Sequence, residues 1–212
     1  MSLFVTFITS LLLGMRHATD SDHIIAVTAI ATRERSTLKA AWLGALWGIG
    51  HSLTLFIVGG AIIAYKLTFT PRVGLSMEFT VAAMLIVLGL LNLLDMRPDS
   101  TRVNTAKPFI VGVVHGLAGS AGAVLLIVPL IGDPAWAALY LLVFGVGTIV
   151  GMTLITLSVA APAALFAARL AGMQRSLRLA SGAISLVFGI YLAQRIGFGA
   201  GLFGPAPHWG LR

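Results

Sequence analysis

The sequence predicts an all-α polytopic membrane helix bundle of six spans, arranged as a 3+3 inverted repeat. Three observations predict it. Of 212 residues, 58% are hydrophobic and only 10% charged, where soluble domains carry about 25% charged residues. Apolar stretches of spanning length recur six times along the chain. Two short motifs recur between the halves at nearly equal offset. A mean hydropathy of +0.99 agrees with the first observation.

A helical span needs about 20 mostly apolar residues. The six stretches run roughly 2–31, 41–65, 76–95, 108–131, 135–160 and 175–197. The first is long for one crossing, so a tilt or a break is expected there. No Lys or Arg precedes Arg16, unlike a cleavable signal peptide with its basic leading region. Residues 2–31 are therefore expected to belong to the bundle. Pro162 and the stretch to Gly172 are expected to end the fifth span. "MRPDSTRVNTAK", residues 96–107, is the long polar connection, and it separates three spans from three. The reading is one transmembrane domain over 1–212: a first repeat 1–95, the polar linker 96–107, a second repeat 108–197 and a Gly/Pro-rich tail 198–212, interfacial or loose. No stretch is long enough for a separate soluble domain, so an attached ATPase or catalytic domain is not expected and the chain reads as no enzyme.

The net charge of +7 is explained by topology rather than by nucleic acid. With six spans, one side receives Arg33, Arg35, Lys39, Arg97, Arg102, Lys107, Arg169, Arg175 and Arg178, and the other receives Lys66, Arg72, Arg195 and Arg212. The excess of Lys and Arg marks the first side as cytoplasmic. The chain is then expected in the cell inner membrane with both termini outside. The repeat is carried by "GMRHA" at 14–18 against "GVVHG" at 112–116, and by "WGIGH" at 47–51 against "FGVGT" at 144–148. An odd number of spans per copy inverts the second copy, which puts a site near the midplane where the copies meet.

Chemistry concentrates in "RHATDSDHI", Arg16 to Ile24, inside an apolar stretch. An Asp or Arg at a helix centre costs roughly 2.5–3.5 kcal/mol. Arg16, Asp20 and Asp22 therefore need partners, water or an ion. Arg16 and Asp20, four apart, can pair on one helix face, but this leaves Asp22, His17 and His23 without a reason. A divalent metal site accounts for all of them. On a straight helix His17, Asp22 and His23 would point at about 0°, 140° and 240°, so they converge only if the helix unwinds. Asp and Ser favour such breaks, and unwound backbone is tolerated in a membrane where it lines a cavity. Asp20 would then orient an imidazole or ligate directly.

The second span adds His51, approached by Gly48 and Gly50, with Ser52 as an acceptor nearby. The fourth adds His115, the repeat partner of His17, as a ligand or a gate; Ala118, Ser120 and Ala121 stand where the first copy has Asp20, Asp22 and His23. Met15 and Met152 read as packing, His208 as exposed, and Glu78 and Asp95 as solvated near span ends. No cysteine is present, so thiolate sites are excluded. Imidazoles with carboxylates suit Ni(II), Co(II), Zn(II), Mn(II) or Fe(II) rather than Cu(I).

"RHATDSDHI" and "IGHS" together resemble the signatures of the nickel/cobalt transporter family, an H-x4-D-H motif in one membrane helix and G-H-S in the next. The first falls here on His17, Asp22 and His23, the second on Gly50, His51 and Ser52. "HGLAGSAG", 115–122, is similar to the smaller six-span branch labelled urease-accessory or nickel-uptake proteins. Larger members have eight spans and an acidic motif in the second half, where this chain reads "FGVGTIVGM". The resemblance implies a secondary-type permease for Ni²⁺, with Co²⁺ second, working by alternating access through an intramembrane site on His17, Asp22, His23 and His51. The ion is then transported substrate rather than permanent cofactor. The partners are that ion and the lipid bilayer; an oligomer is compatible with this. Alternatives are a metal-binding accessory or sensor subunit, and a haem electron carrier with His51 and His115 as axial ligands. An intramembrane hydrolase is disfavoured because no H-E-x-x-H motif is present.

Overall fold

The computed structural model describes residues 3–31, 36–67, 70–94, 106–117, 131, 133–169 and 173–208. These are all helix and connection: α1 Leu3–His17, α2 Ser21–Ala31, α3 Thr37–Tyr65, α4 Pro71–Leu93, α5 Ala106–Gly116, α6 Pro134–Arg169 and α7 Met173–Gln194. A π-helical turn, Arg195–Gly199, extends α7. Four segments are long and apolar enough to cross a membrane: Thr37–Tyr65, Pro71–Leu93, Pro134–Pro162 and Arg175–Gly199. Large apolar side chains such as Ile57, Val87, Leu142 and Val187 face outward at 52–67% exposure. That surface would be untenable in water and suits lipid.

The first apolar stretch is broken. Helix α1 ends at His17, and the amides of Thr19 and Asp20 bond back to the carbonyls of Arg16 and His17 at 2.8 and 3.1 Å. Helix α2 restarts at Ser21 with Asp22 in its first turn, where a carboxylate complements the helix dipole. Helix α3 starts four residues before the expected span, because the Ser36 hydroxyl accepts from the Lys39 amide at 3.4 Å as an N-cap. It stops at Lys66 in the left-handed region, φ 49°. Helix α4 also starts early, with Pro71 in its first turn.

Glycine sets the helix crossings. A Cβ on Gly14 of α1 would overlap the Phe144 carbonyl of α6 and lie 3.0 Å from the Thr148 amide nitrogen. A Cβ on Gly112 of α5 would overlap the Trp47 carbonyl of α3 and lie 3.0 Å from the His51 amide nitrogen. These two contacts join positions that correspond in the repeated motifs. The reciprocal contacts correspond as well: Gly50 meets the Phe109 carbonyl, and Gly147 meets the Leu11 carbonyl. Such close approach replaces hydrophobic driving force between helices in lipid. Hydroxyls and an amide add cross-links: Ser10 to the Tyr140 carbonyl at 2.8 Å, Ser185 to Leu85 at 2.8 Å and Asn92 to Ala29 at 2.8 Å.

Helix directions follow from these contacts. Helices α1 and α6 run parallel, since Ser10 bonds Tyr140 and Gly151 lies beside Met15. Helices α5 and α3 run parallel, since Gly112 meets Trp47 and Gly116 meets His51. Helices α3 and α6 are antiparallel: Gly44 meets Thr156, Gly48 meets Ile149, and Ser52 bonds the Gly145 carbonyl at 3.0 Å.

Several expectations change. Pro162 lies inside α6, which continues to Arg169; the apolar segment ends at Pro162, but the helix does not, because one missing amide donor can be absorbed in a long helix. Glu78 is buried at 8% exposure rather than solvated, since α4 begins at Pro71 and puts Glu78 two turns inside it. The tail through His208 is held in place. Arg72 donates to the Gly204 carbonyl at 3.1 Å, Phe203 stacks edge-on against Phe79, and Gly201 turns the chain at φ +75°. The fourth span is described only as α5, from Ala106 to Gly116. Most of the linker 96–107, the positions Ala118, Ser120 and Ala121, Asp95, and Arg33, Arg35, Arg97 and Arg102 lie outside the described residues.

Gly112→Ala is expected to destabilise the bundle by about 1–3 kcal/mol through overpacking. Gly60→Ala, whose Cβ would meet nothing within 4 Å, should be neutral or gain up to about 1 kcal/mol of helix propensity. Thermal unfolding in detergent, followed by circular dichroism, separates the two. Equal losses would refute close crossing as the role of Gly112.

Candidate metal centre

The break between α1 and α2 places His17 at the end of one helix and Asp22 and His23 at the start of the next. Helix α3 brings His51 to them, and α5 brings His115. His23, His51 and His115 are fully buried and His17 is 7% exposed. The imidazoles form one cluster. Ring centroids are 4.6 Å apart for His17 and His23, 5.1 Å for His17 and His51, 5.2 Å for His23 and His51, and 4.0 Å for His23 and His115.

The two carboxylates fix the tautomers, because a carboxylate only accepts. His17 Nδ1–H donates to Asp20 Oδ2 at 2.9 Å, which leaves the Nε2 lone pair facing His51 Nε2 at 3.1 Å. His23 donates twice to Asp22 Oδ1, from its backbone amide at 3.1 Å and from Nδ1 at 3.2 Å. His115 Nε2–H donates to Asp22 Oδ2 at 3.1 Å. Asp22 thus clamps two histidines from two helices, with its side chain 16% exposed. Asp20, 44% exposed, orients only His17.

What remains is an excess of nitrogen. His23 Nε2, His51 Nδ1 and His115 Nδ1 are buried with no hydrogen-bond partner among the described residues, as is Trp47 Nε1. A buried polar atom without a partner costs about 1–3 kcal/mol. Several in one cluster indicate a site built for something besides its own hydrogen bonds. Two sets of donor atoms, each within 4.8 Å of one another, are geometrically able to hold a cation: His17 with His23 and His51, and Asp22 with His23 and His115.

The structure therefore gathers His17, Asp22, His23, His51 and His115, with Asp20 at the edge. Arg16 is exposed and makes no ion pair among the described residues; Asp20 turns to His17 instead. Ser52 points away from the cluster, to Gly145 on α6. Met152 is buried packing at 1% exposure, and His208 is exposed. Sequence reasoning missed two aromatic walls. Trp47 lies 5.7 Å from His23 and 5.5 Å from His115, and Phe144 lies 5.6 Å from His17. The signal was present: Trp47 precedes His51 by one helical turn and so shares its face, and Phe144 is its counterpart in the repeated motif.

The described residues and the cluster define a helical membrane protein with a buried imidazole–carboxylate centre. No protein-family model matches the chain, and no solved structure does. A curated relative, the urease accessory protein UreH of Bacillus sp. (strain TB-90), is 33% identical over 210 residues, covering 90% of this chain and 91% of the relative. The chain belongs to the family of that protein.

Asp22→Ala would strand the His23 and His115 donors in the bundle. The expected loss is about 2–5 kcal/mol, read as a lowered unfolding midpoint in detergent. Asp22→Asn, which keeps one acceptor oxygen, should lose less; no difference between the two would refute the clamp.

Proposed function

We propose that this chain is a secondary-type permease for a divalent transition metal ion, Ni²⁺ first and Co²⁺ second, working by alternating access without being an enzyme. The ion is substrate and no permanent cofactor is needed. The observation that carries this reading is the buried cluster with unpartnered ring nitrogens inside an apolar bundle. Neutral imidazoles without thiolate suit the later first-row divalent ions. The relative's name, urease accessory protein, supports a nickel-related role.

The architecture we infer is one domain of six spans in a 3+3 inverted repeat, 1–95 and 108–197, in the cell inner membrane with both termini outside. The matching contacts of Gly14 with Phe144 and of Gly112 with Trp47 support the repeat, as does the antiparallel crossing of α3 and α6. The donor cluster lies where the copies meet, with His17, Asp22, His23 and His51 from the first and His115 from the second. In this reading His17 presents Nε2 to the ion, His51 presents Nε2 once its proton sits on the unpartnered Nδ1, His23 presents its free Nε2, and Asp20 and Asp22 orient the rings. A membrane potential supplies about 2.3 kcal/mol per charge per 100 mV.

The relative's name also favours a second reading, an accessory subunit that binds the metal but needs a partner to move it. The haem reading fares worse. The His23 ring lies 5.2 Å from His51 and 4.0 Å from His115, in the gap a macrocycle would occupy.

Proteoliposomes holding the chain alone are expected to take up ⁶³Ni²⁺, and His17→Ala and His51→Ala should each lower uptake at least about tenfold. Equal uptake by all three ends the site assignment; no uptake by wild type despite nickel binding favours the accessory subunit. Asp20→Asn should weaken nickel affinity about 10–100-fold by releasing His17, measured by titration in detergent. Because imidazole nitrogens must be free of protons to ligate, nickel affinity measured in detergent should fall as the solution is made strongly acidic; affinity independent of pH would count against imidazole ligation.

A further inference from the structure

The donors of the cluster fall into two overlapping groups. His17, His23 and His51 form one, and Asp22, His23 and His115 form the other. The rings pair differently: His17 lies 5.1 Å from His51, whereas His115 lies 4.0 Å from His23 and 5.5 Å from Trp47. His51 and His115 are 6.0 Å apart, further than either is from His23.

We propose that the cluster is two successive stations for a divalent cation, one on His17, His23 and His51 and the next on Asp22, His23 and His115, with His23 handing the ion from one to the other. This rests on the permease reading above. His23 suits the transfer because its two ring nitrogens are committed differently. Nε2 is buried and unpartnered, while Nδ1 faces Asp22 at 3.2 Å. The first station uses Nε2; the second uses Nδ1, on the side where Asp22 and His115 meet. Protons balance within the rings. As the ion leaves Nε2 and takes Nδ1, the His23 proton moves from Nδ1 to Nε2. In His115 the proton moves from Nε2 to the unpartnered Nδ1.

The first station is made of neutral imidazoles; the second adds the Asp22 carboxylate. Two dications on groups that share His23 would repel strongly where water is scarce, so one station fills as the other empties. Conduction needs binding that is divided among sites rather than deep in one.

The test uses the full chain with Ni²⁺ as probe, purified in detergent and reconstituted. His51→Ala removes a ligand of the first station only. His115→Gln removes one of the second and keeps an amide able to donate to Asp22. Each variant is expected to slow uptake at least about tenfold, and nickel held by the His115→Gln chain should show three imidazoles in its X-ray absorption, nickel held by the His51→Ala chain two imidazoles and a carboxylate. Uptake by His115→Gln at the wild-type rate overturns the second station; uptake by His51→Ala at that rate overturns the first. Should His115→Gln not be monodisperse, nickel X-ray absorption of His51→Ala decides: two imidazoles with a carboxylate support the second station, and one imidazole or none overturns it. A wild-type chain that neither binds nor carries Ni²⁺ sinks the permease reading itself, and this inference with it.

Discussion

A carboxylate shared between two imidazoles inside an apolar bundle is the constraint from which the rest of the centre follows. Asp22 accepts from His23 through one oxygen and from His115 through the other. Neither ring has another hydrogen-bond partner among the described residues. A carboxylate there without donors would be strongly disfavoured, and the donors without it would be stranded. The clamp sets both tautomers. It therefore decides which nitrogens are left with lone pairs, and it ties α5 to the broken end of the first stretch.

The backbone makes this clamp reachable. The turn over residues 18–20 ends α1 and lets α2 begin with a new phase, so that His17, Asp22 and His23 come together in one cluster. Glycines then bring the partner helices in. With no Cβ at Gly112, α5 lies on the Trp47 carbonyl and the His51 amide. With none at Gly14, α1 lies on Phe144 and Thr148. The side chains that follow these glycines, His115 and His17, arrive at the cluster from two directions. Each meets an aromatic ring, Trp47 or Phe144. Packing and chemistry are thus supplied by the same short motifs.

The centre is polar but poor in charge. Its imidazoles are oriented by carboxylates rather than crowded by them, the arrangement by which proteins raise ligand basicity and hold ring geometry. Buried serine, threonine and asparagine groups elsewhere bond across helices and hold the frame in which the cluster sits. The frame's outer face carries apolar side chains with no such bonds, as lipid requires.

Composition and periodic apolar length by themselves determined that the chain is a membrane helix bundle, because backbone groups in lipid have no other simple means of satisfaction. The cost of Asp20, Asp22 and Arg16 in an apolar stretch was equally legible, and it pointed to His17, Asp22, His23 and His51 and to a break in the first span. Helix ends were less legible: α6 runs through Pro162, α4 begins early enough to bury Glu78, and the tail is tied down by Arg72. The last of these depends on a contact distant in the chain. Only the tertiary structure decided that Arg16 leaves Asp20 to His17, that Ser52 serves α6 rather than the cluster, and that Trp47 and Phe144 wall it. It also decided that His115 joins Asp22. Those outcomes depend on how closely two backbones approach at a glycine, and a linear pattern names the glycine without naming the carbonyl it will touch.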